Sequence, residues 1–232
     1  MKEPGPSDGF THLRWTFSEG IGYLYLDHPP SNEMNQAFLE EFERIIPVIR
    51  RESSLRGIIC SGNGRHFSSG ANLDELLSAN RDIHFDEMHK HYRSLSFIEE
   101  INIPVVAAIR GVCIGAAFEL ALLCHFRICT EDSVMGLPET TFNLMPGLGG
   151  VRKMAELAGK AKTLELVLRG ATFGAQDAMA LGLTDLIVPK KALMETAVSL
   201  IEFVSPDYDR LRRALYVNRY IDKYVAIHSP TV

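Results

Sequence analysis

The segment IRGVCIGAAFELALL, residues 109–123, decides the fold of this 232-residue chain. Its β-forming end leads through two glycines into a run of helix formers, so it predicts a strand, a tight turn and a helix. One carboxylate, Glu119, lies among the apolar residues of that helix. Burying an unpartnered carboxylate is costly, so a functional role competes here with a plainer one, an acid favoured in the first turn by the helix dipole.

The composition bounds the class of protein. Hydrophobic residues make up 46% and charged residues 23% of the chain, which is typical of one globular domain. The net charge of −5 argues against nucleic-acid binding, and no apolar run reaches membrane-spanning length. The polar start MKEPGPSDGF does not resemble a targeting peptide, and the four cysteines have no CxxC spacing. We therefore expect a cytoplasmic protein with buried free thiols and no metal site.

Strands alternate with helices over most of the chain, which predicts an α/β core with a mainly helical carboxyl end. We expect a flexible tail at 1–10, a core over 11–205 and a helical segment at 206–232. Pro47 is expected to kink the helix at 36–51 or to end it early. The strands are predicted at 21–27, 55–62, 102–111, 125–130 and 184–189.

Three segments carry residues that can do chemistry: 64–73, the helix that contains Glu119, and 136–150. Small residues in the first and third segments let backbone amides approach an anion, and the helix start offers further free amides. Glu139 lies in the third segment. With two carboxylates, one can deprotonate a water while the other transfers a proton, and the amides can stabilise an enolate oxygen. Taken singly, each segment also fits a tight turn or a solvated loop acid.

Taken together and in this order, the motifs resemble the crotonase superfamily, and within it the enoyl-CoA hydratase/isomerase family. SGNGRHFSSGANL at 61–73 resembles the family's G-x-G-x-x-F-x-x-G-A-D-L, and NLMPGLGG at 143–150 resembles its P-G-x-G-G. The turn HPPSNEMN at 28–35 and the segment 102–139, which ends in Pro-Glu, also match. The resemblance covers roughly residues 12–205. It implies a crotonase-like spiral of ββα units with a helical carboxyl-terminal region, assembled as a homotrimer or hexamer.

The resemblance also assigns roles to individual residues. The backbone amides of Ala71 and Ala116 would form the oxyanion hole, Glu119 and Glu139 would be the catalytic acids, and the Gly147 amide would position the water. The residues expected to contact the coenzyme A thioester are Arg65, Ser69 and Leu73.

The family and its two glutamates predict hydration of a trans-2-enoyl thioester to a 3-hydroxyacyl thioester, or the reverse dehydration, in fatty acid metabolism. No cofactor is expected besides the coenzyme A that carries the substrate. One alternative is a Δ3,Δ2-enoyl-CoA isomerase, and another is a tailoring enzyme that acts on an acyl carrier protein. A further alternative is a non-catalytic member that serves as a binding partner.

Several positions depart from the family pattern. Asn72 replaces the usual Asp, Ala116 the commoner Gly, and Asp74 a frequent Lys, while Phe118 adds bulk beside Glu119. The few basic residues near the expected coenzyme A site are the reason for the carrier-protein alternative. We also expect the carboxyl-terminal helical segment, which is short for the family, to alter assembly or closure of the acyl pocket.

Overall fold

The computed structural model describes residues 9–78 and 84–214. Of the predicted tail at 1–10, only residues 9 and 10 belong to this part. Of the predicted helical segment at 206–232, residues 206–214 belong to it, and 208–214 are helical. The remainder of both segments lies outside the described residues.

The large sheet of the described chain has the order β1-β2-β3-β4-β6-β9, in which β1 and β2 are antiparallel and the remaining pairs are parallel. Its strands are β1 (Leu13–Ser18), β2 (Ile21–Leu26), β3 (Gly57–Gly62), β4 (Val105–Ile109), β6 (Phe126–Thr130) and β9 (Leu186–Val188). A small sheet with the order β5-β7-β8 lies beside it and consists of β5 (Val112–Ile114), β7 (Val134–Gly136) and β8 (Thr172–Gly174).

The helices follow the strands in the expected alternation. They are α1 (Gln36–Arg51), α2 (Leu73–Ser78), α3 (His84–Leu95), α4 (Phe97–Glu100), α5 (Ala116–Leu123), α6 (Gly150–Ala158), α7 (Lys160–Leu168), α8 (Ala175–Ala180) and α9 (Leu193–Val204), with short 3-10 turns at Glu139–Phe142 and Lys190–Ala192. In β4, β5 and α5, a strand of the large sheet is followed by a strand of the small sheet and then by a helix. The same order returns in β6, β7 and α6, so the predicted α/β class is confirmed.

Every residue of the central strands β3 and β4 is buried. Because successive side chains of a strand point to opposite sides of the sheet, both faces of the sheet are buried there. Ile58 and Cys60 of β3 join the main core, whereas Ile59 between them joins a smaller cluster beneath α9. Such two-sided burial explains why the central parallel strands read as continuous apolar runs. The four cysteines are buried free thiols, as the sequence predicts.

Helix α1 does not end at Pro47 but continues to Arg51, so the expectation of an early end is wrong. Proline removes one backbone donor and costs helix stability. The apolar face of α1 nevertheless continues beyond it, and Ile45 and Ile49 are both buried in the main core. Packing of this face offsets the lost hydrogen bond, as tertiary contacts commonly outweigh local propensity.

Four strands were not predicted: β1 and the three strands of the small sheet. The small-sheet strands have three residues each and lie next to glycines, so they show no period-two pattern long enough to detect. Strand β1, by contrast, begins where a buried carboxylate, Glu41, binds the backbone. That anchor cannot be recognised before the chain is folded.

Candidate active site

Glu119 lies one turn into α5, every residue of which is buried. The helix begins after Gly115, whose φ of 58° lies in the left-handed region that glycine tolerates best. This turn redirects the chain from β5 into α5. The strand and the helix predicted here are confirmed as β4 and α5, but the segment predicted as a turn between them contains the short strand β5. The Glu119 side chain is 1% exposed.

Three backbone amides bind the Glu119 carboxylate. Leu148 and Gly150 each donate to Oε1 at 2.9 Å, and Gly147 donates to Oε2 at 3.3 Å. The donors belong to the loop that enters α6, so Glu119 accepts hydrogen bonds at the amino terminus of another helix. This arrangement favours the charged carboxylate through hydrogen bonding and the helix dipole.

Burial nevertheless dominates the protonation of Glu119 and raises its pKa to about 7. The negative charge of Glu139 raises the pKa further, whereas the three backbone amides lower it. A carboxyl group whose pKa lies near neutrality can exchange a proton in either direction, as a general acid or base requires.

Glu139 opens the 3-10 turn Glu139–Phe142, and burial raises its pKa too. Its Oε1 atom faces the start of α5, because a Cβ placed on Gly115 would lie 3.1 Å from it. Its Oε2 atom is buried and has no hydrogen-bond partner in the described part of the chain. A buried polar atom of this kind calls for an explanation, and a bound reactant or water is one.

The loop before Ala71 is attached to the segment that leads into α5. Phe67 and Ser68 donate backbone hydrogen bonds to Arg110 and Val112, at 2.9 and 3.0 Å. A Cβ on Gly70 would lie 3.4 Å from the Ala116 nitrogen. Gly70 therefore brings the chain close to the first amide of α5, one residue before Ala71.

Asn32 is a structural residue, although its sequence motif indicates only a turn at 28–35. Its side-chain NH₂ donates to three backbone carbonyls of the facing loop at 2.8 to 3.2 Å, those of Asn63, His66 and Phe67. Its Oδ1 atom accepts from the backbone of His28. Asn32 thus holds the loop that leads to Ala71. A buried amide that satisfies carbonyls more than thirty residues away leaves no periodic signal in the sequence.

The other predicted contact residues lie on the same loop or where it enters α2. Arg65 and Leu73 are exposed, and Ser69 is half-buried. Asn72 donates to Glu33 at 2.9 Å and accepts from the Glu75 backbone, so it caps α2. Phe118 points into the core, where it packs edge-on against Phe173. The Gly147 amide binds Glu119, and its predicted contact with water stays a prediction.

Within residues 9–78 and 84–214, no group of three or more His, Cys, Asp or Glu side chains is arranged to hold a metal ion. No helix there is both long enough and apolar enough to span a bilayer.

Comparisons with known proteins agree on one family. The model of the enoyl-CoA hydratase/isomerase family matches residues 16–213. Among curated proteins, the chain is 36% identical over 187 residues to the fatty acid oxidation complex subunit alpha of Shewanella loihica. The match covers 78% of this chain and 26% of that protein, so the chain spans about a quarter of the length of the curated relatives it matches.

Solved structures share the fold. An enoyl-CoA hydratase from Bacillus anthracis superimposes with a TM-score of 0.81 at 28% identity, covering 94% of this chain and 92% of that one. A Thermobifida fusca protein, solved in complex with acetoacetyl-CoA, gives a TM-score of 0.76 at 26% identity and covers 84% of this chain and 80% of its own. The expected crotonase-like spiral is therefore confirmed.

Proposed function

Because the chain belongs to the enoyl-CoA hydratase/isomerase family, we propose that it adds water to a trans-2-enoyl thioester or catalyses the reverse dehydration. The observation that carries this proposal is a pair of carboxyl groups, of which Glu119 is buried and Glu139 half-buried. The charge of Glu139 raises the pKa of Glu119, burial raises the pKa of both groups, and Glu139 keeps an unpartnered buried oxygen. Two such groups can divide the roles of acid and base between them.

In the proposed reaction the thioester oxygen accepts hydrogen bonds from the amides of Ala71 and Ala116. Ionised Glu119 takes a proton from a water, whose oxygen bonds to Cβ. The electron pair of the double bond moves toward the carbonyl and gives an enolate, which the two amides stabilise. Glu139 in its protonated form then delivers a proton to Cα, and the proton that Glu119 took from the water returns to Glu139 before the next turnover. One water is added, and no electrons are gained or lost.

The amides that bind Glu119 suit it to the part of base. They hold the carboxylate in one orientation and favour its charged form, yet three donors leave one of its roughly four acceptor sites for a water. We infer that the Gly147 amide contributes through Glu119 as well as through any water it contacts.

A second candidate, isomerisation of a 3-enoyl thioester, is favoured by the same contacts. If Glu119 serves mainly to cap α6, Glu139 is left as the one mobile proton carrier. A single carboxylate is sufficient to remove a proton from C2 and return it to C4, which moves the double bond without adding water.

The proposed substrate is a coenzyme A thioester. It is supported by the family and by the Thermobifida fusca relative, which was solved with acetoacetyl-CoA. Arg65, Ser69 and Leu73 are proposed to contact it. An acyl carrier protein is the alternative carrier. Asp74 and Glu75 place acids at the start of α2, where bases would be needed to bind the phosphates of coenzyme A, and a carrier-bound phosphopantetheine has fewer phosphates.

A homotrimer or hexamer is proposed on the basis of exposed apolar side chains. Phe142 and Met145, which follow Glu139, are 45% and 62% exposed, and Leu168 of α7 is 69% exposed. Apolar side chains of this size on one region of a surface are typical of contacts between subunits. Sedimentation of the purified chain tests this proposal, and a monomer at micromolar concentration contradicts it.

The deciding experiment follows but-2-enoyl-CoA and but-3-enoyl-CoA in parallel. A hydratase consumes the conjugated absorbance of the first and forms 3-hydroxybutanoyl-CoA, whereas an isomerase generates conjugated absorbance from the second. We expect Glu119→Gln and Glu139→Gln each to lower hydration by roughly a hundredfold or more. The control is Glu165→Gln, an exposed acid on α7. Normal rates in both active-site variants would contradict the assigned roles, and no turnover of coenzyme A or carrier-bound substrates would favour a non-catalytic binding partner.

A further inference from the structure

The first turn of α6, which carries an amide donor to Glu119, is tied to α4 by a compact ion-pair cluster. Arg152 contacts Oε2 of Glu99 at 2.8 Å, and Lys153 contacts Oε1 of the same carboxylate at 2.8 Å. Both oxygens of Glu99 are therefore engaged by cations of α6. The side chains of Glu99 and Lys153 are only 17% and 18% exposed, so this cluster is better shielded than an ordinary surface pair.

An aromatic ring supports the same turn from α3. A Cβ placed on Gly149 would lie 2.5 Å from Cε2 of Tyr92, so the ring packs directly against the backbone just before α6. Arg152 also donates to the Tyr92 hydroxyl at 3.3 Å. The backbone that binds Glu119 is thus supported by Tyr92 on one side and anchored by Glu99 on the other.

Glu99 is itself fixed to the sheet. His125 Nδ1 accepts from the backbone of Val105, so its Nε2 carries the hydrogen that points to the Glu99 carbonyl at 3.2 Å. Arg212 donates to the same carbonyl at 3.1 Å. The Glu99 backbone therefore cannot follow α6 if that helix shifts, and its side chain acts as an anchor.

We propose that Glu99 is a positioning residue for Glu119, acting through Arg152 and Lys153 on the start of α6. The bonds from Leu148 and Gly150 to Glu119 are both 2.9 Å long, so a shift of α6 by a few tenths of an ångström changes their strength and the orientation of the carboxylate. The kinetic part of this inference rests on the proposed function, whereas its structural part does not.

The test compares Glu99→Gln with Glu156→Gln in the full-length protein. Glu156 contacts the same two cations, but it lies on α6 with them, so losing it removes a similar charge without releasing α6 from α4. For Glu99→Gln we expect kcat for but-2-enoyl-CoA to fall about three- to tenfold, KM to stay constant and the acid limb of the pH profile to move. Glu156→Gln is expected to match the parent protein.

Amide hydrogen exchange provides a readout that does not require turnover. The amides of Leu148 and Gly150 are expected to exchange several-fold faster in Glu99→Gln but not in Glu156→Gln, while amides of β3 are unchanged in both. Unchanged exchange in Glu99→Gln overturns the inference, as do equal effects of the two variants. If the parent protein turns over no enoyl thioester, the proposed function fails while the exchange data still decide the role of Glu99.

Discussion

Gly150 donates its backbone N–H to Oε1 of Glu119 at 2.9 Å, and a Cβ added to this glycine would lie 2.4 Å from the Glu119 Cγ atom. The same residue therefore binds the carboxylate and makes room for it. Because Gly150 is the first residue of α6 and Glu119 lies in α5, the contact also fixes the distance between the two helices.

The first prediction is that Gly150→Ala displaces Glu119. The new methyl group must push either the carboxylate stem or the start of α6, and displacements approaching 1 Å at a catalytic group can cost about a hundredfold in rate. We expect kcat for enoyl thioester hydration to fall at least tenfold, measured by steady-state kinetics. The matched control is Gly174→Ala, because a Cβ at Gly174 meets no atom within 4 Å. Equal kinetics in the two variants would refute the close-approach interpretation.

The second prediction concerns Glu119 and stability. Its folded pKa of about 7 exceeds the ordinary carboxyl value, so between about pH 4.5 and 7 only the folded state keeps the proton, and the parent protein loses stability as pH rises. Glu119→Gln cannot titrate. Its free energy of unfolding relative to the parent is therefore expected to increase across this range, by about 3 kcal/mol.

Urea denaturation at several pH values measures this difference. The control is Glu202→Gln, an exposed acid on α9, whose unfolding curve should follow that of the parent protein at each pH. A difference between Glu119→Gln and the parent that does not change with pH would mean that Glu119 has an ordinary pKa.

The third prediction concerns the anchor of β1. The buried Glu41 carboxylate accepts from the backbone amides of Thr11, His12 and Leu13, at 2.8, 2.8 and 3.1 Å. Burial raises its pKa, but the hydrogen bonds from Thr11 and His12 outweigh this effect, so the pKa is lowered. Glu41→Gln brings an NH₂ group against N–H donors, so we expect the free energy of unfolding at pH 7 to fall by about 2 kcal/mol.

Because the folded pKa of Glu41 is lowered, its stabilisation is present above the unfolded value and is lost as pH falls through the folded one. The penalty of Glu41→Gln should therefore shrink in acid. The neighbouring Glu40→Gln, which alters an exposed contact to Gln36, is the control, and its effect should stay within about 0.5 kcal/mol. A penalty of equal size for both substitutions would show that Glu41 does not anchor the strand.

The fourth prediction concerns His125, whose burial lowers its pKa to about 4. Nitrogen-15 NMR should show a neutral ring with the hydrogen on Nε2 at pH 6, as its contacts to Val105 and Glu99 require. Protonation of the unfolded chain begins near pH 6.5, so His125 is expected to destabilise the protein progressively from there down to about pH 4. Titration of this ring between pH 6 and 7 would contradict the buried hydrogen-bonded geometry.

Much of the fold could be predicted from the sequence because its main elements are locally encoded. Long apolar runs predicted the central strands, and Asn35 caps α1 by accepting from the Phe38 backbone, a local contact that Asn commonly makes at a helix start. The short strands of the small sheet could not be predicted, because three residues contain too little periodicity. The effect of Pro47 could not be predicted either, because proline disfavours a helix locally. The buried face of α1, from Phe38 to Ile49, stabilises the helix through contacts with distant parts of the chain.

The sequence by itself determined the α/β alternation, the succession of the β4 strand and the α5 helix, and the identity of the two candidate acids. These depend on residue type and spacing within about twenty residues. Only the tertiary structure decided that Glu119 is bound by amides 28 to 31 residues further on, that Asn32 binds the loop before Ala71, and that Glu99 pairs with two cations of α6. Such contacts join distant parts of the chain, and the burial that raises the pKa of Glu119 exists only once those parts have packed together.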